Sequence, residues 1–258
     1  MTGASAGIGV AFAEVFAANG FDLILTARRI DRLETMAVDL RTRHGHVVHV
    51  VPADLAEPGA VERLCRTLGE RGLMVDALVN NAGYGVPGLL TTPAWERQRD
   101  LLQVLIGAVV ELTYRLLPAM IERGYGRVIN VSSLAGLIPA PGGHTLYPAA
   151  KAFVMRFSEA LAEETRRTGV HVTALCPGFT VSEFHDVAGT RSSASKLPSV
   201  MWMDALAVAH AGFDGVMAGI PVLVPGRVNR AIAFVARHAP WAFVQVQRRI
   251  SWAYRKTT

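Results

Sequence analysis

A chain of 258 residues has the length of one large α/β domain, and with 51% hydrophobic and 18% charged residues it is too apolar to be disordered. Its net charge of +5 is carried almost wholly by arginine, since Lys151, Lys196 and Lys256 are the lysines; no basic run is interleaved with aromatics, which argues against a nucleic-acid surface. Two separated thiols, Cys65 and Cys176, make neither a disulfide framework nor a metal cluster, and the uncharged window 128–150 is broken by Pro139, Pro141 and Gly142-Gly143, so the chain reads as a cytoplasmic protein without a metal site.

The chain opens on Thr2-Gly3-Ala4-Ser5-Ala6-Gly7-Ile8-Gly9, followed by an apolar helical stretch that stops at Asn19-Gly20. Glycines at this spacing let a backbone turn tightly, approach a pyrophosphate and pack a helix start against a sheet. Residues 21–27 are β-rich, 30–43 a charged amphipathic helix closed by Gly45, 46–51 a strand, 58–71 a helix and 76–80 a strand. A long helical stretch covers about 93–122 and ends at Gly124 and Gly126. The rhythm repeats with a strand at 127–131, a helix at 147–167 and a strand at 170–176. Residues of about 182–206 look irregular, and 220–224 make a last short strand. Alternating βα units with near-continuous apolar strands predict one doubly wound α/β domain over 1–258, a parallel sheet with helices on both faces.

Three further patterns carry chemistry. The strand at 21–27 ends in Thr26-Ala27-Arg28-Arg29, about 20 residues beyond the glycines, where a carboxylate would hold an NAD ribose. Arginine there instead suits a 2′-phosphate, with Arg28 as first choice and Arg29 in support. Asn80-Asn81-Ala82-Gly83 lies at the C-terminal edge of a strand, where parallel sheets bind ligands. Ser133 ends the next strand, and Tyr147-Pro-Ala-Ala-Lys151 opens a helix with the phenol and the ammonium one turn apart on one face. A nearby ammonium together with an oxidised nicotinamide should lower the tyrosine from its usual value of about 10, and Ser133 can hold a substrate oxygen beside it.

Together the glycine turn, the Asn-Asn-Ala-Gly element, Ser133 and the Tyr147/Lys151 pair resemble the classical short-chain dehydrogenase/reductase family nearly end to end. The resemblance implies a Rossmann-type sheet and an NADP(H)-dependent oxidoreductase that interconverts a carbonyl and an alcohol on a mostly apolar small molecule. Ser133, Tyr147 and Lys151 would be catalytic, with Tyr147 as proton donor or acceptor. Gly3, Ser5, Gly7, Ile8 and Gly9 would meet the cofactor phosphates. Asp54 would contact the adenine, and Asn80, Asn81 and Gly83 would shape the adenosine pocket. In Cys176-Pro-Gly-Phe-Thr-Val-Ser182 the family's threonine is replaced by Ser182, with Thr180 assisting beside the nicotinamide. Tyr147 and Lys151 would also touch the cofactor. A substrate lid is expected at about 183–206, with Phe184, Leu197, Val200, Met201 and Trp202 as its apolar residues and His144 and His185 at its mouth. Residues of about 227–256 form a basic amphipathic helix with the composition to rest on an acidic membrane, to pack on its own domain or to meet a partner. By resemblance the assembly is a homodimer or homotetramer.

The sequence departs from the family at two further places. Only Met1 precedes the glycine turn, where the central strand should stand, which leaves a start site placed too late or a sheet without its middle strand. Losing that strand would unpair two neighbours and open a gap between 21–27 and 76–80, a cost that favours the late start. Leu105 stands in the register of the family's water-anchoring asparagine. That substitution leaves a rival reading open, a catalytically weak or inactive NADP(H)-binding regulatory or scaffold protein.

Overall fold

The structure is a computed structural model that describes residues 1–140, 142–183, 198–241 and 244. The first helix, α1 (Gly7–Ala18), starts inside the glycine turn and is apolar nearly all round, burying Phe12, Val15 and Phe16. It packs on α7 (Ala205–Met217), where Phe16 meets Phe213 edge-on with ring centroids 5.1 Å apart. Gly212 permits this approach, because a Cβ there would lie 2.8 Å from the Phe12 ring. The amphipathic helix α2 (Ile30–His44) buries Leu33, Ala37 and Leu40 at helical spacing and closes on Gly45, which is left-handed at φ 73°. On the opposite face α3 (Ala60–Glu70) buries Val61, Leu64 and Leu68, and α5 (Ala108–Glu122) buries Leu112 and Met120. The sheet thus separates two apolar cores, as a doubly wound fold requires.

Strands β1 (Leu23–Leu25) and β2 (Val48–Val50) pair in parallel. Strands β3 (Ala77–Asn80), β4 (Gly126–Val131), β5 (Val170–Leu175) and β8 (Val222–Leu223) form a second parallel set in that order. Among the described residues no strand lies between β1 and β3, so the expected discontinuity is present. Its C-terminal end is bridged by two residues: the Thr2 N–H donates to the Val79 carbonyl at 2.9 Å, and the Thr26 N–H donates to that of Met1 at 3.0 Å. A short pair, β6 (Phe179–Thr180) with β7 (Trp202–Met203), forms within and beside the segment expected to be irregular.

The long helical stretch is continuous from Trp95 to Glu122 but not uniform. Between α4 (Trp95–Leu102) and α5 it widens into a π turn, Gln103–Gly107, centred on Leu105. Its length and mean hydropathy of 1.7 match a bilayer-crossing helix. Its inner face buries Leu101, Val104, Leu105, Ala108, Val109 and Leu112 in the protein. Helix α6 (Leu146–Glu164) lies against β4 and β5, and α8 (Arg227–His238) follows β8. The expected tail helix beyond that point, with Phe243, Arg248, Arg249, Trp252 and Lys256, lies outside the described residues.

Candidate active site

The C-terminal ends of β1, β3, β4 and β5 open on a cleft of about 640 Å³. The glycine turn forms one wall. Gly3 and Gly7 are left-handed, at φ 65° and 54°, and a Cβ on Gly3 would lie 2.8 Å from the Ala82 Cα. The Asn81 amide clasps this turn, its Nδ2 donating to the carbonyls of Thr2 and Gly3 at 3.2 Å each. The Thr2 hydroxyl in turn accepts the backbone N–H groups of Asn81 and Ala82 at 3.1 Å each. These bonds fix the two loops that flank the place of the central strand.

The structure brings Gly3, Ser5, Gly7, Ile8, Arg28, Arg29, Asp54, Asn81, Gly83, Ser133, Tyr147, Lys151, Thr180 and Ser182 to the cleft. Two of the expected residues are not there. Gly9 is packed under the turn, where a Cβ would lie 2.1 Å from the Gly3 carbonyl oxygen. Asn80 points into the core, donating to Thr113 Oγ1 at 3.2 Å and Asn130 Oδ1 at 2.8 Å. Successive strand side chains face opposite ways, so Asn80 and Asn81 serve opposite sides of the sheet. Both residues pack behind the cleft lining.

Ser133 is extended at the end of β4, and its Oγ accepts the Ala135 N–H at 3.1 Å, which starts a short 3-10 turn. Helix α6 is pinned to the same strand end, because the Ser132 hydroxyl donates to the Lys151 carbonyl at 2.6 Å. Lys151 is buried, and its Nζ donates to the Val131 carbonyl at 2.7 Å and sits 5.7 Å from the centre of the Tyr147 ring. Burial drives Lys151 down to about 8 and pushes Tyr147 up to about 12, while a hydrogen bond with Ser133 works the other way on the phenol. The lowering expected from the ammonium together with an oxidised nicotinamide is not a property of the protein alone, where desolvation is the largest influence on the phenol. The imidazole of His144, half-buried at the mouth, is also lowered by burial.

Leu105 is buried beside this group in an apolar cluster with Val86, Leu101 and Ala150. A Cβ on Gly83 would lie 2.8 Å from its Cδ2 and 3.7 Å from Lys151 Nζ, so Gly83 lies against both side chains. Residues that the motifs did not reveal also line the cleft: Tyr84, Ile138, Phe179, Asn229 and Ile232. Asn229 and Ile232 come from α8, which here packs on its own domain, one of the expectations for the tail helix. A buried Asn229 donating to the Pro225 carbonyl at 3.0 Å is a packing fact that no local pattern signals. Of the expected lid, Met201 reaches the cleft, Trp202 packs on Phe179 at 5.6 Å and Val200 is exposed. Phe184, His185 and Leu197 lie outside the described residues.

This arrangement recurs in known proteins. The sequence profile of the short chain dehydrogenases matches residues 1–192. A sulfoacetaldehyde reductase of Chromohalobacter salexigens is 38% identical over 189 residues, covering 71% of this chain and 72% of that protein. A short-chain dehydrogenase from Sphingobium yanoikuyae, solved in complex with NADPH, superposes with a TM-score of 0.80 at 30% identity over 98% of this chain and 94% of its own. A 7beta-hydroxysteroid dehydrogenase superposes with a TM-score of 0.82 at 26% identity, over 92% and 90%. The shared fold and the profile match over residues 1–192 lead to one conclusion: the chain belongs to the short-chain dehydrogenase family of oxidoreductases.

Proposed function

We propose that this oxidoreductase uses NADP(H) to interconvert a carbonyl and an alcohol on a mostly apolar small molecule, with Tyr147 as the proton donor or acceptor. The observation that carries the reading is one cleft holding the glycine turn, Arg28 and Arg29 at one end and Ser133, Tyr147 and Lys151 at the other. The glycine turn fits a dinucleotide, because its positive φ angles and bare Cα atoms leave room for a pyrophosphate against the start of α1. The NADPH bound to the Sphingobium yanoikuyae relative supports the phosphorylated cofactor.

When bound, the nicotinamide gives or takes the hydride. The protein's residues handle the oxygen and its proton. Ser133 donates to the substrate oxygen and holds it beside Tyr147, whose hydroxyl shares the Ser133 hydrogen bond. A phenol held near 12 is protonated at neutral pH, the form that protonates an alkoxide as a carbonyl is reduced. Lys151, one helical turn on, places its charge under the ring and is itself anchored through Val131. Leu134, Ile138, Phe179, Met201 and Ile232 give the substrate end apolar walls, which supports an apolar substrate, as does the likeness to a hydroxysteroid dehydrogenase.

NADPH consumption over a panel of aliphatic, aromatic and polycyclic ketones and aldehydes tests this reading, with apolar carbonyls expected to turn over fastest. Leu105 favours one alternative, a cofactor-binding protein of low turnover, since an apolar side chain stands in the register of the family's water-anchoring asparagine. Cofactor binding without oxidation of NADPH by any carbonyl would establish that alternative.

The assembly we infer is a homodimer or homotetramer. Tyr114 is exposed on α5, and Phe153 and Phe157 stack within 5° of parallel on α6. Light scattering reads the subunit number. On α8, Arg227, Arg230, Phe234 and Arg237 share one exposed face, the pattern of a helix resting on acidic lipid. Co-sedimentation with phosphatidylserine vesicles, lost in an Arg230→Glu/Arg237→Glu variant, tests that contact.

A further inference from the structure

Beside the glycine turn, three charged side chains form a closed cluster. Arg32 Nη1 lies 2.8 Å from both carboxylate oxygens of Glu183, and Arg29 Nη1 lies 3.1 Å from one of them. Arg29 also donates through Nε and Nη2 to Ser5 Oγ, at 3.3 and 3.2 Å, and through Nη2 to the Ser5 carbonyl at 3.4 Å. Ser5 belongs to the glycine turn, and Glu183 follows Ser182, which backs so closely on Gly7 that a Cβ there would lie 2.8 Å from the serine Cβ. The cluster therefore joins the two lips of the cleft at its phosphate end. Arg28 turns away from it, with its side chain 64% exposed and Nη1 3.8 Å from Asp54.

Two guanidinium groups facing one carboxylate leave an excess of positive charge. Arg32 and then Arg29 hold the Glu183 carboxyl below the usual carboxylate range, so it is charged at neutral pH. This rim is built around an anion, which Glu183 supplies. A phosphate monoester brings more charge and three acceptor oxygens to the same fork-shaped donors, whereas a ribose hydroxyl brings no charge.

We propose that Glu183 is a specificity-determining residue for the cofactor: its carboxylate stands in for the cofactor's 2′-phosphate on Arg29 and Arg32, and the phosphate displaces it on binding. This inference rests on the NADP(H) reading above and adds Arg32 and Glu183 to the residues that set it. Glu183 then weakens the phosphorylated cofactor alone and narrows the preference for it over the unphosphorylated one.

Calorimetric titration of the full chain with adenosine 2′,5′-bisphosphate and with adenosine 5′-monophosphate tests the exchange without any redox step. Wild type should bind the bisphosphate more tightly. Glu183→Gln should bind it about threefold more tightly still, the size of a half-exposed ion pair, with the monophosphate unchanged. Arg32→Gln should shift the bisphosphate about threefold the other way, and both changes should shrink at high salt. A wild-type preference for the bisphosphate that Glu183→Gln leaves unchanged or reduces overturns this inference and leaves the cofactor reading standing. Equal binding of the two nucleotides by wild type removes both.

Discussion

At the scale of single residues, the site depends on how burial sets Lys151 and Tyr147. Lys151 titrates near 8 in the folded chain against 10.5 for a free lysine, so across that interval the unfolded chain holds a proton that the folded one lacks. Stability then rises with pH from about 8 to 10.5, by up to roughly 3.4 kcal/mol if the shift is fully expressed. Thermal melts of wild type and Lys151→Met across this range should diverge, with the variant lacking the rise. Leu105 makes a second case. Its side chain fills a dry space between Gly83 and the apolar cluster of α4, so Leu105→Asn should cost about 1–3 kcal/mol through an unpartnered buried amide. A lower melting point with unchanged turnover identifies Leu105 as core. Faster turnover, with a solvent isotope effect in wild type that the variant loses, would identify a crippled proton relay.

At the scale of elements, glycine turn, strand ends and α6 are held by short contacts that tolerate no added atom. A Cβ on Gly136 would lie 2.6 Å from the Ala152 N and 2.7 Å from the Lys151 carbonyl carbon, both backbone atoms of α6. Gly136→Ala should therefore push the helix that carries Tyr147 and Lys151 off β4, lowering stability by about 1–3 kcal/mol and turnover with it. Circular dichroism melts and steady-state rates read the two effects. Much of this level was legible in the sequence. Gly45 ended α2 where a left-handed residue was needed, and the spacing of Tyr147 and Lys151 placed them on one face of α6. The π turn at Gln103–Gly107 was not, since its residues fit an α-helix pattern and only the packing of Leu105 marks it.

At the scale of the whole molecule, the βα alternation of the sequence and the doubly wound sheet agree because the long strands β4 and β5 are mostly buried and helices pack an apolar core on each face. What the sequence did not carry are contacts between segments far apart in the chain. Glu183 reaches Arg29 across 154 residues, and Asn229 enters the cleft from α8; neither has a neighbour in sequence that signals it. Asn80 and Asn81 were read as one motif, although strand alternation sends one to the core and the other to the glycine turn. The two halves of the sheet are joined at the site by Thr2, whose hydroxyl takes the N–H groups of Asn81 and Ala82. Thr2→Val keeps the shape and orphans both donors, so it should destabilise by about 2–4 kcal/mol and weaken cofactor binding with it.

The central claim joins this fold to proton transfer at Tyr147, and single-turnover oxidation of NADPH by Tyr147→Phe tests it most directly. The variant keeps the ring in its buried place beside Lys151 and removes only the hydroxyl that is hydrogen-bonded to Ser133. With a carbonyl that wild type reduces, the account predicts unchanged NADPH binding and a rate lower by about 10²–10⁴-fold, the range of a lost general acid. A rate close to wild type with NADPH still bound would place the acid elsewhere and contradict the account.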